Sequence, residues 1–170
     1  IKDALSGGKP LMTDKEIQET MTAFQKEMTA KQAGRAKVLG EKKKKEGETF
    51  LAANKKKEGV KTTSSGLQYK VIKAGSGAKP KTTDSVTVNY RGALIDGTEF
   101  DSSYKRGEAA TFPLNGIIPG WVEALQLMPV GSKWQLFVPF NLAYGEHGQG
   151  REIGPNATLI FEVELISINK

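Results

Sequence analysis

The stretch NGIIPGWVEALQLMPVG, residues 115–131, decides the fold of this chain. Two prolines and three glycines punctuate it, yet the run between them is strongly apolar. Trp121, Leu125 and Met128 fall on one side of a short helix, which we predict over Trp121–Leu127. The neighbouring segments read as strands, so this helix is the candidate to cover the apolar face of a sheet. We therefore expect an α+β fold in which an antiparallel sheet wraps around one short α-helix.

The strands are predicted from side chains that alternate with a period of two. In SVTVNYRG, the residues Val86, Val88 and Tyr90 share one face of the predicted strand, and polar residues occupy the other face. Asp96-Gly97 is a dipeptide typical of the tight turns between such strands. The same alternation recurs in LQYKVIKA (67–74), KWQLFVPF (133–140) and TLIFEVELISI (158–168).

Residues 14–60 form a different kind of segment, which is rich in helix formers and contains no proline. Thr13 offers a capping side chain just before the acidic residues of a first turn, so we place the start of a long connecting helix there. The apolar pattern fades after residue 28, and we expect an exposed rod of roughly 65 Å. Residues 61–66, KTTSSG, are predicted to be a turn-rich joint.

One apolar stripe lies near the start of this predicted helix. Ile17, Met21, Phe24 and Met28 recur at intervals of four, three and four residues, which places them on one helix face. A helix from a second copy of the chain is the natural cover for this stripe. We therefore favour dimerisation over the alternative, a fraying helix end.

The net charge of +6 is distributed unevenly along the chain. Residues 1–65 hold 15 Lys and Arg against 9 Asp and Glu, whereas residues 66–170 hold 10 of each kind. The lysines of EKKKKEG (41–47) have acidic neighbours and no interleaved aromatic residue to stack on bases. We interpret them as a solvated helix face that can attract acidic protein surfaces, and we expect no nucleic-acid partner.

Composition argues against several classes of chemistry. The chain has no cysteine and one histidine, His147, so we expect no disulfide, no metal site and no cofactor. Neither Ser102 nor Ser103 has a base at a recognisable motif spacing, which argues against a serine hydrolase. No apolar run is long enough to span a bilayer. The chain starts at Ile1 rather than at methionine, which suggests processing and leaves a removed export signal as an open alternative.

Four motifs follow the order and spacing of one known family. They are VTVNYRGALIDGTEFDSS (86–103), IIPGWVEALQLMPVG (117–131), LAYG (142–145) and PNATLIFEVELISI (155–168). Over residues 67–170 the chain resembles the FKBP-type peptidyl-prolyl isomerases, which implies that family's fold and its isomerisation of Xaa-Pro bonds. The preceding helical segment resembles the macrophage infectivity potentiator branch of that family, whose members are exported Gram-negative dimers.

This branch resemblance implies a domain order, partners and a location. Residues 1–13 would be the remnant of an N-terminal dimerisation module, 14–60 the connecting helix, 61–66 the joint and 67–170 the isomerase domain. The implied partners are proline-containing client proteins, rapamycin-type macrocycles and, in the full-length protein, a second copy of the chain. The implied location is the periplasm, the outer membrane or the cell surface.

The resemblance also implies a pocket, residue by residue. Asp101 in EFDSS would be the buried acid, Arg106 its basic partner and Tyr144 in LAYG a hydroxyl donor. Two positions depart from the family pattern, because Ala110 replaces a common phenylalanine and Gln149 replaces a common histidine. The implied catalytic residues are Asp101, Tyr144, Tyr90, Phe100 and Trp121. The substrate or macrocycle would contact these five together with Arg106, Ile117, Ile118, Ile153 and Phe161.

Such a pocket predicts an isomerase that needs no covalent chemistry. An Xaa-Pro bond exchanges slowly between cis and trans forms of similar free energy, and neither a nucleophile nor a proton shuttle is required to turn it. An alternative from another class is a client-binding chaperone clamp in which the isomerase activity is secondary.

Overall fold

The computed structural model describes residues 13–170, so the prediction for residues 1–13 lies outside the described residues except for Thr13. The chain divides into two compact units, one that ends at Val38 and one that spans Leu39–Lys170. The helices are α1 (Asp14–Asn54), α2 (Ser103–Arg106) and α3 (Pro119–Leu127), with 3-10 turns at Leu114–Gly116 and Phe140–Leu142. The strands are β1 (Val60–Thr62), β2 (Gln68–Lys73), β3 (Ser85–Leu94), β4 (Glu99–Ser102), β5 (Ala110–Pro113), β6 (Lys133–Val138) and β7 (Leu159–Asn169).

A capping box begins α1 at the predicted residue. The backbone N–H of Thr13 donates to Glu16 Oε2 over 2.7 Å, and the N–H of Glu16 donates to Thr13 Oγ1 over 3.3 Å. In this first unit Ile17, Met21 and Phe24 are between 46% and 59% exposed, so the predicted apolar stripe is uncovered in the single chain. No helix within residues 13–170 is long and apolar enough to cross a membrane.

The strands of residues 39–170 form one antiparallel sheet. Their order is β1-β2-β6-β7-β3-β4, and β5 also pairs with β3. The register of β3 against β7 sets Gly92 opposite Phe161. Val86, Val88 and Tyr90 of β3 are all buried, which confirms the predicted alternation along this strand.

Helix α3 supplies the apolar layer that packs against the sheet. Trp121 and Leu125 are buried on it, and Pro119 occupies its first turn, where a missing N–H costs no hydrogen bond. The helix begins two residues earlier than predicted. Gly120 permits a close approach, because a Cβ there would lie 2.6 Å from Cγ1 of Val138. The predicted fold class, a long helix followed by an antiparallel sheet around a short helix, is confirmed.

The part of α1 that belongs to the second unit, residues 39–54, packs against the rest of that unit and is called the docked part below. Its buried residues are Gly40, Gly47 and Asn54, which recur every seven residues and so share one helix face. A Cβ at Gly47 would lie only 2.1 Å from Thr158 Oγ1. The expectation of an exposed rod is therefore wrong for this part of α1, because two glycines let the helix backbone lie against the segment before β7.

Polar and aromatic contacts fasten the end of α1. Asn54 Nδ2 donates to Gln68 Oε1 over 2.9 Å, and Gln68 Nε2 donates to the carbonyl of Leu51 over 2.9 Å. The rings of Phe50 and Phe137 lie 6.0 Å apart between centroids. The helix thus ends before residue 60, and β1 occupies the start of the segment that was predicted to be a joint.

Candidate active site

A pocket of about 280 Å³ opens beside the start of α3. Its lining is largely aromatic and apolar, with few polar groups, which is the usual composition of a small-molecule or peptide site. Eight of the ten side chains predicted for the site line it, namely Tyr90, Phe100, Asp101, Ile117, Ile118, Trp121, Tyr144 and Phe161, and Phe112 and Gly116 complete the lining.

Trp121 forms the floor of the pocket, and aromatic neighbours hold its indole ring edge-on. The indole centroid lies 5.2 Å from the rings of Tyr90 and Phe161 and 5.9 Å from that of Phe112, with interplanar angles of 81°, 84° and 87°. Each such edge-to-face pair contributes about 0.5–1.5 kcal/mol beyond burial alone. The indole Nε1 is buried and has no hydrogen-bond partner within residues 13–170. Trp121 therefore belongs both to the core and to the pocket.

The pocket wall formed by Phe100 and Phe161 depends on a glycine that the sequence analysis did not single out. The two rings meet edge to face with centroids 5.6 Å apart. A Cβ at Gly92 would lie 2.7 Å from Phe100 Cζ and 2.8 Å from Phe161 Cε1. Position 92 must be glycine for both rings to approach the strand so closely. The signal was a glycine that interrupts an otherwise alternating strand in VNYRG.

Phe112 is a second lining residue that the sequence analysis did not assign to the pocket. β5 pairs Phe112 with Val86 and Ala110 with Val88, so both residues of β5 share one face. Four residues of strand are too few for a convincing alternation, which is why the pattern was missed. Ala110 is half-buried and is not among the lining residues.

Tyr90, Asp101 and Arg106 form the polar corner of the site. The Tyr90 hydroxyl donates to Asp101 Oδ2, and Arg106 Nη1 donates to Asp101 Oδ1 over 2.6 Å. Arg106 Nη2 also donates to the Tyr90 hydroxyl oxygen over 2.9 Å, and the guanidinium carbon lies 5.5 Å from the Tyr90 ring centroid. The three side chains thus hold one another in place, and Arg106 is not among the residues that line the pocket.

The single helical turn of α2 places Arg106 within hydrogen-bond distance of Asp101. α2 follows β4 without a gap, and Arg106 is its last residue. Gly107 ends the turn in the left-handed conformation, with φ 73°, and its N–H donates to the carbonyl of Tyr104 over 3.2 Å. A glycine is favoured at such a C-terminal position because it has no Cβ to clash.

The hydrogen bonds keep Asp101 ionised. Burial by itself raises the pKa of Asp101, but the hydrogen bonds from Tyr90 and Arg106 outweigh burial and place the pKa below its ordinary value. Burial, and then the hydrogen bond to Asp101, raises the pKa of Tyr90. Burial, and then the charge of Asp101, raises the pKa of Tyr144. At neutral pH the pocket therefore holds one carboxylate and two protonated phenols.

Ile117 and Ile118 form the lip of the pocket. Ile118 precedes α3 in an extended conformation, and its carbonyl accepts hydrogen bonds from the N–H groups of Trp121 and Val122 over 3.0 and 3.2 Å. Within the part of the chain that the structure describes, no protein group accepts a hydrogen bond from the Ile118 N–H. A backbone donor is thus available at a lining residue.

Ile153 is the one predicted apolar contact that the pocket lining lacks. It is 5% exposed and belongs to the core. Its N–H donates to the Gln149 carbonyl over 3.2 Å, and the Gln149 N–H donates to the Ile153 carbonyl over 2.9 Å. The two backbone hydrogen bonds between Gln149 and Ile153 therefore shape the loop before β7. Neither residue is part of the pocket lining.

A second cavity of about 170 Å³ lies between the docked part of α1 and the loop before β7. Leu39, Lys43 and Arg151 are among its lining residues, which include no aromatic ring able to receive a proline side chain. Residues 13–170 also contain no group of three or more His, Cys, Asp or Glu side chains that could hold a metal ion. The aromatic pocket is therefore the candidate active site.

Comparison with known proteins assigns the chain to a family. The model of the FKBP-type peptidyl-prolyl cis-trans isomerase family matches residues 76–166, and that of the domain amino terminal to FKBP-type peptidyl-prolyl isomerase matches residues 1–71. The chain belongs to the FKBP-type peptidyl-prolyl cis-trans isomerases, and its activity is the cis-trans isomerisation that defines this family.

Relatives of this chain within the family include proteins named Mip and FkpA. The chain is 50% identical over 170 residues to the outer membrane protein MIP of Legionella longbeachae, covering 100% of this chain and 73% of that protein. It is 57% identical over 167 residues to FkpA of Aeromonas hydrophila, covering 96% of this chain and 61% of that protein. The crystal structure of FkpA from Escherichia coli is similar, with a TM-score of 0.86 and 41% identity over 99% of this chain and 78% of that one. The predicted resemblance is confirmed.

Proposed function

We propose that this chain isomerises Xaa-Pro bonds of exported or surface proteins inside the aromatic pocket, without covalent chemistry. Rotation about an amide bond meets a barrier of about 18–20 kcal/mol because the planar form has double-bond character. The cis and trans forms of an Xaa-Pro bond differ by only about 0.5–1 kcal/mol, so lowering this barrier is sufficient for useful catalysis.

The aromatic lining supplies the first part of this catalysis. A planar amide is charge-separated and its twisted transition state is less so, which means that an apolar site favours the twisted form. The Trp121 floor, ringed by Tyr90, Phe112 and Phe161, offers a flat apolar surface for the proline ring. This floor is the single observation that carries the proposal.

The polar groups supply the second part. We assign the Tyr144 hydroxyl and the Ile118 N–H to the carbonyl next to the proline, since both residues line the pocket and Ile118 has an available donor. Asp101 has both oxygens occupied by Tyr90 and Arg106 and a lowered pKa, so it is a poor base. Its role is to orient the carbonyl and to stabilise the charge distribution of the twisted bond.

Replacement of the carboxylate tests this assignment. Asp101→Leu should fold and should lower kcat/KM for an Xaa-Pro peptide at least about tenfold, because a preorganised electrostatic group is lost. Asp14→Leu, in the exposed first turn of α1, is the matched control and should retain full turnover. Turnover that is equal in the two variants would remove Asp101 from the mechanism. A wild-type protein that is inactive and insensitive to rapamycin would overturn the proposed site as a whole.

The similarity to the Mip and FkpA proteins also supports a location, partners and a domain order for this chain. We propose that residues 1–13 are the remnant of an N-terminal dimerisation module and that residues 67–170 are the isomerase domain. Residues 14–60 would connect the two, and residues 61–66 would form the joint before the isomerase domain. The Legionella longbeachae relative is named an outer membrane protein, which supports a periplasmic or cell-surface location. Rapamycin-type macrocycles and proline-containing clients are the proposed occupants of the pocket.

A client-binding chaperone clamp is the second candidate function. The uncovered side chains of Ile17, Met21, Phe24 and Met28 favour it, because they offer apolar surface for a second copy or an unfolded client. The test is an unfolded client that lacks proline. Its protection from aggregation by both the wild type and Asp101→Leu would establish a holding role independent of the pocket, and equal aggregation with and without the protein would exclude it.

A further inference from the structure

The docked part of α1 contacts two residues that hydrogen-bond to the backbone beside Tyr144. Gly145, the next residue, makes two backbone hydrogen bonds. Its N–H donates to the Phe140 carbonyl over 2.9 Å, and its carbonyl accepts from the Asn156 N–H over 2.9 Å. Both of these partners in turn contact α1. The backbone beside Tyr144 is therefore tied at two points to residues that the helix contacts.

The stronger of the two contacts runs through Asn156. Its Nδ2 donates to the carbonyl of Gly40 in α1 over 3.1 Å. The contact is close, since a Cβ at Gly40 would lie 3.0 Å from the same nitrogen and 3.4 Å from Pro155 Cβ. Glycine at position 40 thus leaves room for this hydrogen bond, and an added methyl group would push the Asn156 side chain away.

The backbone of Asn156 is unusual as well. It has φ 56° and is the one non-glycine residue in the left-handed region within residues 13–170. Asparagine tolerates this conformation better than most residues, yet it still has a cost that the surroundings must offset. The side-chain hydrogen bond to Gly40 and the backbone hydrogen bond to Gly145 supply that compensation.

The other contact runs through Phe140. The ammonium group of Lys44 lies 5.9 Å from the centroid of the Phe140 ring. The Phe140 carbonyl accepts from the N–H groups of both Ala143 and Gly145, the two residues that flank Tyr144. Gly40 and Lys44 are one turn apart and on the same face of α1, so one helix turn contacts both partners of Gly145.

We propose that Asn156 is a positioning residue for the isomerase reaction, which clamps Gly145 to α1 and so sets the place of the Tyr144 hydroxyl in the pocket. This inference rests on the proposed role of Tyr144. It makes the docked part of α1 a component of the active site's support, although no residue of that helix lines the pocket.

Two substitutions at position 156 separate the side-chain hydrogen bond from the backbone. Asn156→Gly keeps the left-handed conformation and the N–H, and it removes the whole side chain, including the donor to Gly40. Asn156→Asp keeps the size and replaces the donor with an acceptor that faces a carbonyl oxygen. We expect each to lower kcat/KM for an Xaa-Pro peptide about threefold to tenfold, the effect of one misplaced hydrogen bond. Gly40→Ala should do the same, and Gly34→Ala, which has open space around it, should not.

The decisive measurement is a double-mutant cycle that combines each Asn156 variant with Tyr144→Phe. The quantity measured is kcat/KM for an Xaa-Pro peptide, and circular dichroism verifies that all variants have the same folded fraction. If Asn156 acts through the Tyr144 hydroxyl, Asn156→Gly and Asn156→Asp cause no further loss in the Tyr144→Phe background. A loss of the same factor in both backgrounds would show a merely structural role and would overturn the proposal.

The proposed function and the positioning role fail in different ways. If Tyr144→Phe keeps wild-type turnover, the assigned role of Tyr144 is wrong and the positioning role of Asn156 falls with it. If Tyr144→Phe is impaired while both Asn156 variants retain wild-type turnover, the pocket assignment stands and only the clamp is overturned.

Discussion

The substitution Gly47→Ala tests how firmly the part of α1 from Leu39 onward packs within the second unit. A Cβ at position 47 would lie 2.1 Å from Thr158 Oγ1 and 3.1 Å from Thr158 Cβ. Thr158 is 4% exposed and immediately precedes β7, so its side chain has little room to turn away. The new methyl group must therefore displace either the helix or the start of the strand.

Two opposing terms set the size of the effect. Replacing glycine by alanine inside a helix gains about 1 kcal/mol. Overpacking a buried contact costs about 1–3 kcal/mol, and an overlap of this depth belongs at the upper end. The net result is a destabilisation of about 2 kcal/mol, which lowers Tm by roughly 5–10 °C for a unit of this size.

Gly34→Ala is the matched control, because it has the same helix propensity gain and no atom within 4 Å of the new Cβ. It should leave the unfolding transition unchanged or move it to higher temperature. Both tryptophans, Trp121 and Trp134, lie in the second unit, so fluorescence-detected thermal unfolding reports on that unit specifically.

A compensating substitution makes the test sharper. Thr158→Ala removes the oxygen that Gly47→Ala would overlap, so the double variant should be more stable than the sum of the two single effects by about 1 kcal/mol. If Gly47→Ala unfolds at the same temperature as Gly34→Ala, the close contact between Gly47 and Thr158 does not form in solution.

Two further predictions concern the pocket. Because the pKa of Asp101 is lowered, activity should persist as pH falls through the ordinary carboxyl range and be lost only at more acid pH. The contribution of the ionised group to folding stability is complete above the ordinary carboxyl pKa and is lost as pH falls from there to the lowered pKa. Arg106→Gln removes two hydrogen bonds and should move the acid limb of the kcat/KM profile to higher pH, and superimposable profiles would contradict this. Gly92→Ala places a methyl group 2.7 Å from Phe100 and should weaken rapamycin binding in a calorimetric titration at least about tenfold. An unchanged affinity would show that the wall adapts.

Much of the fold was predictable because it depends on local patterns. Val86, Val88 and Tyr90 alternate in sequence and are buried in turn along β3. Proline at the first turn and a run of apolar residues after it predicted α3 within two residues of its observed start. These signals need only the period of a strand or a helix, which a single sequence carries.

The packing of α1 from Leu39 onward was not predictable from the sequence. The residues that allow it are glycines, which in a sequence indicate a weakened helix rather than a packed one. Gly40 and Gly47 read as weak points of a helix, with no apolar stripe around them. Their value appears only when Asn156 and Thr158 are known to lie against them, and those residues come more than a hundred positions later. Close backbone approach leaves no hydrophobic pattern in the sequence.

The site divides in the same way. The family motifs predicted eight residues, Trp121 among them, that line one pocket in the structure. The hydroxyl of Tyr90 as a third member of the Asp101 and Arg106 cluster was not predicted, because strand pairing between β3 and β4 creates that contact. Ile153 was assigned to the wall from its motif alone, although its loop turns it into the core.

The position of β7 in the sheet has a consequence for how the protein becomes active after synthesis. β7 is the last of the strands within residues 13–170, yet it lies between β6 and β3 in the interior of the sheet. Until it arrives, both of those strands have an open edge, and the pocket lacks Phe161. Pairing β3 with β7 requires a long loop to close, which slows folding. The aromatic pocket is therefore completed only when β7 has paired with β3 and β6 during folding.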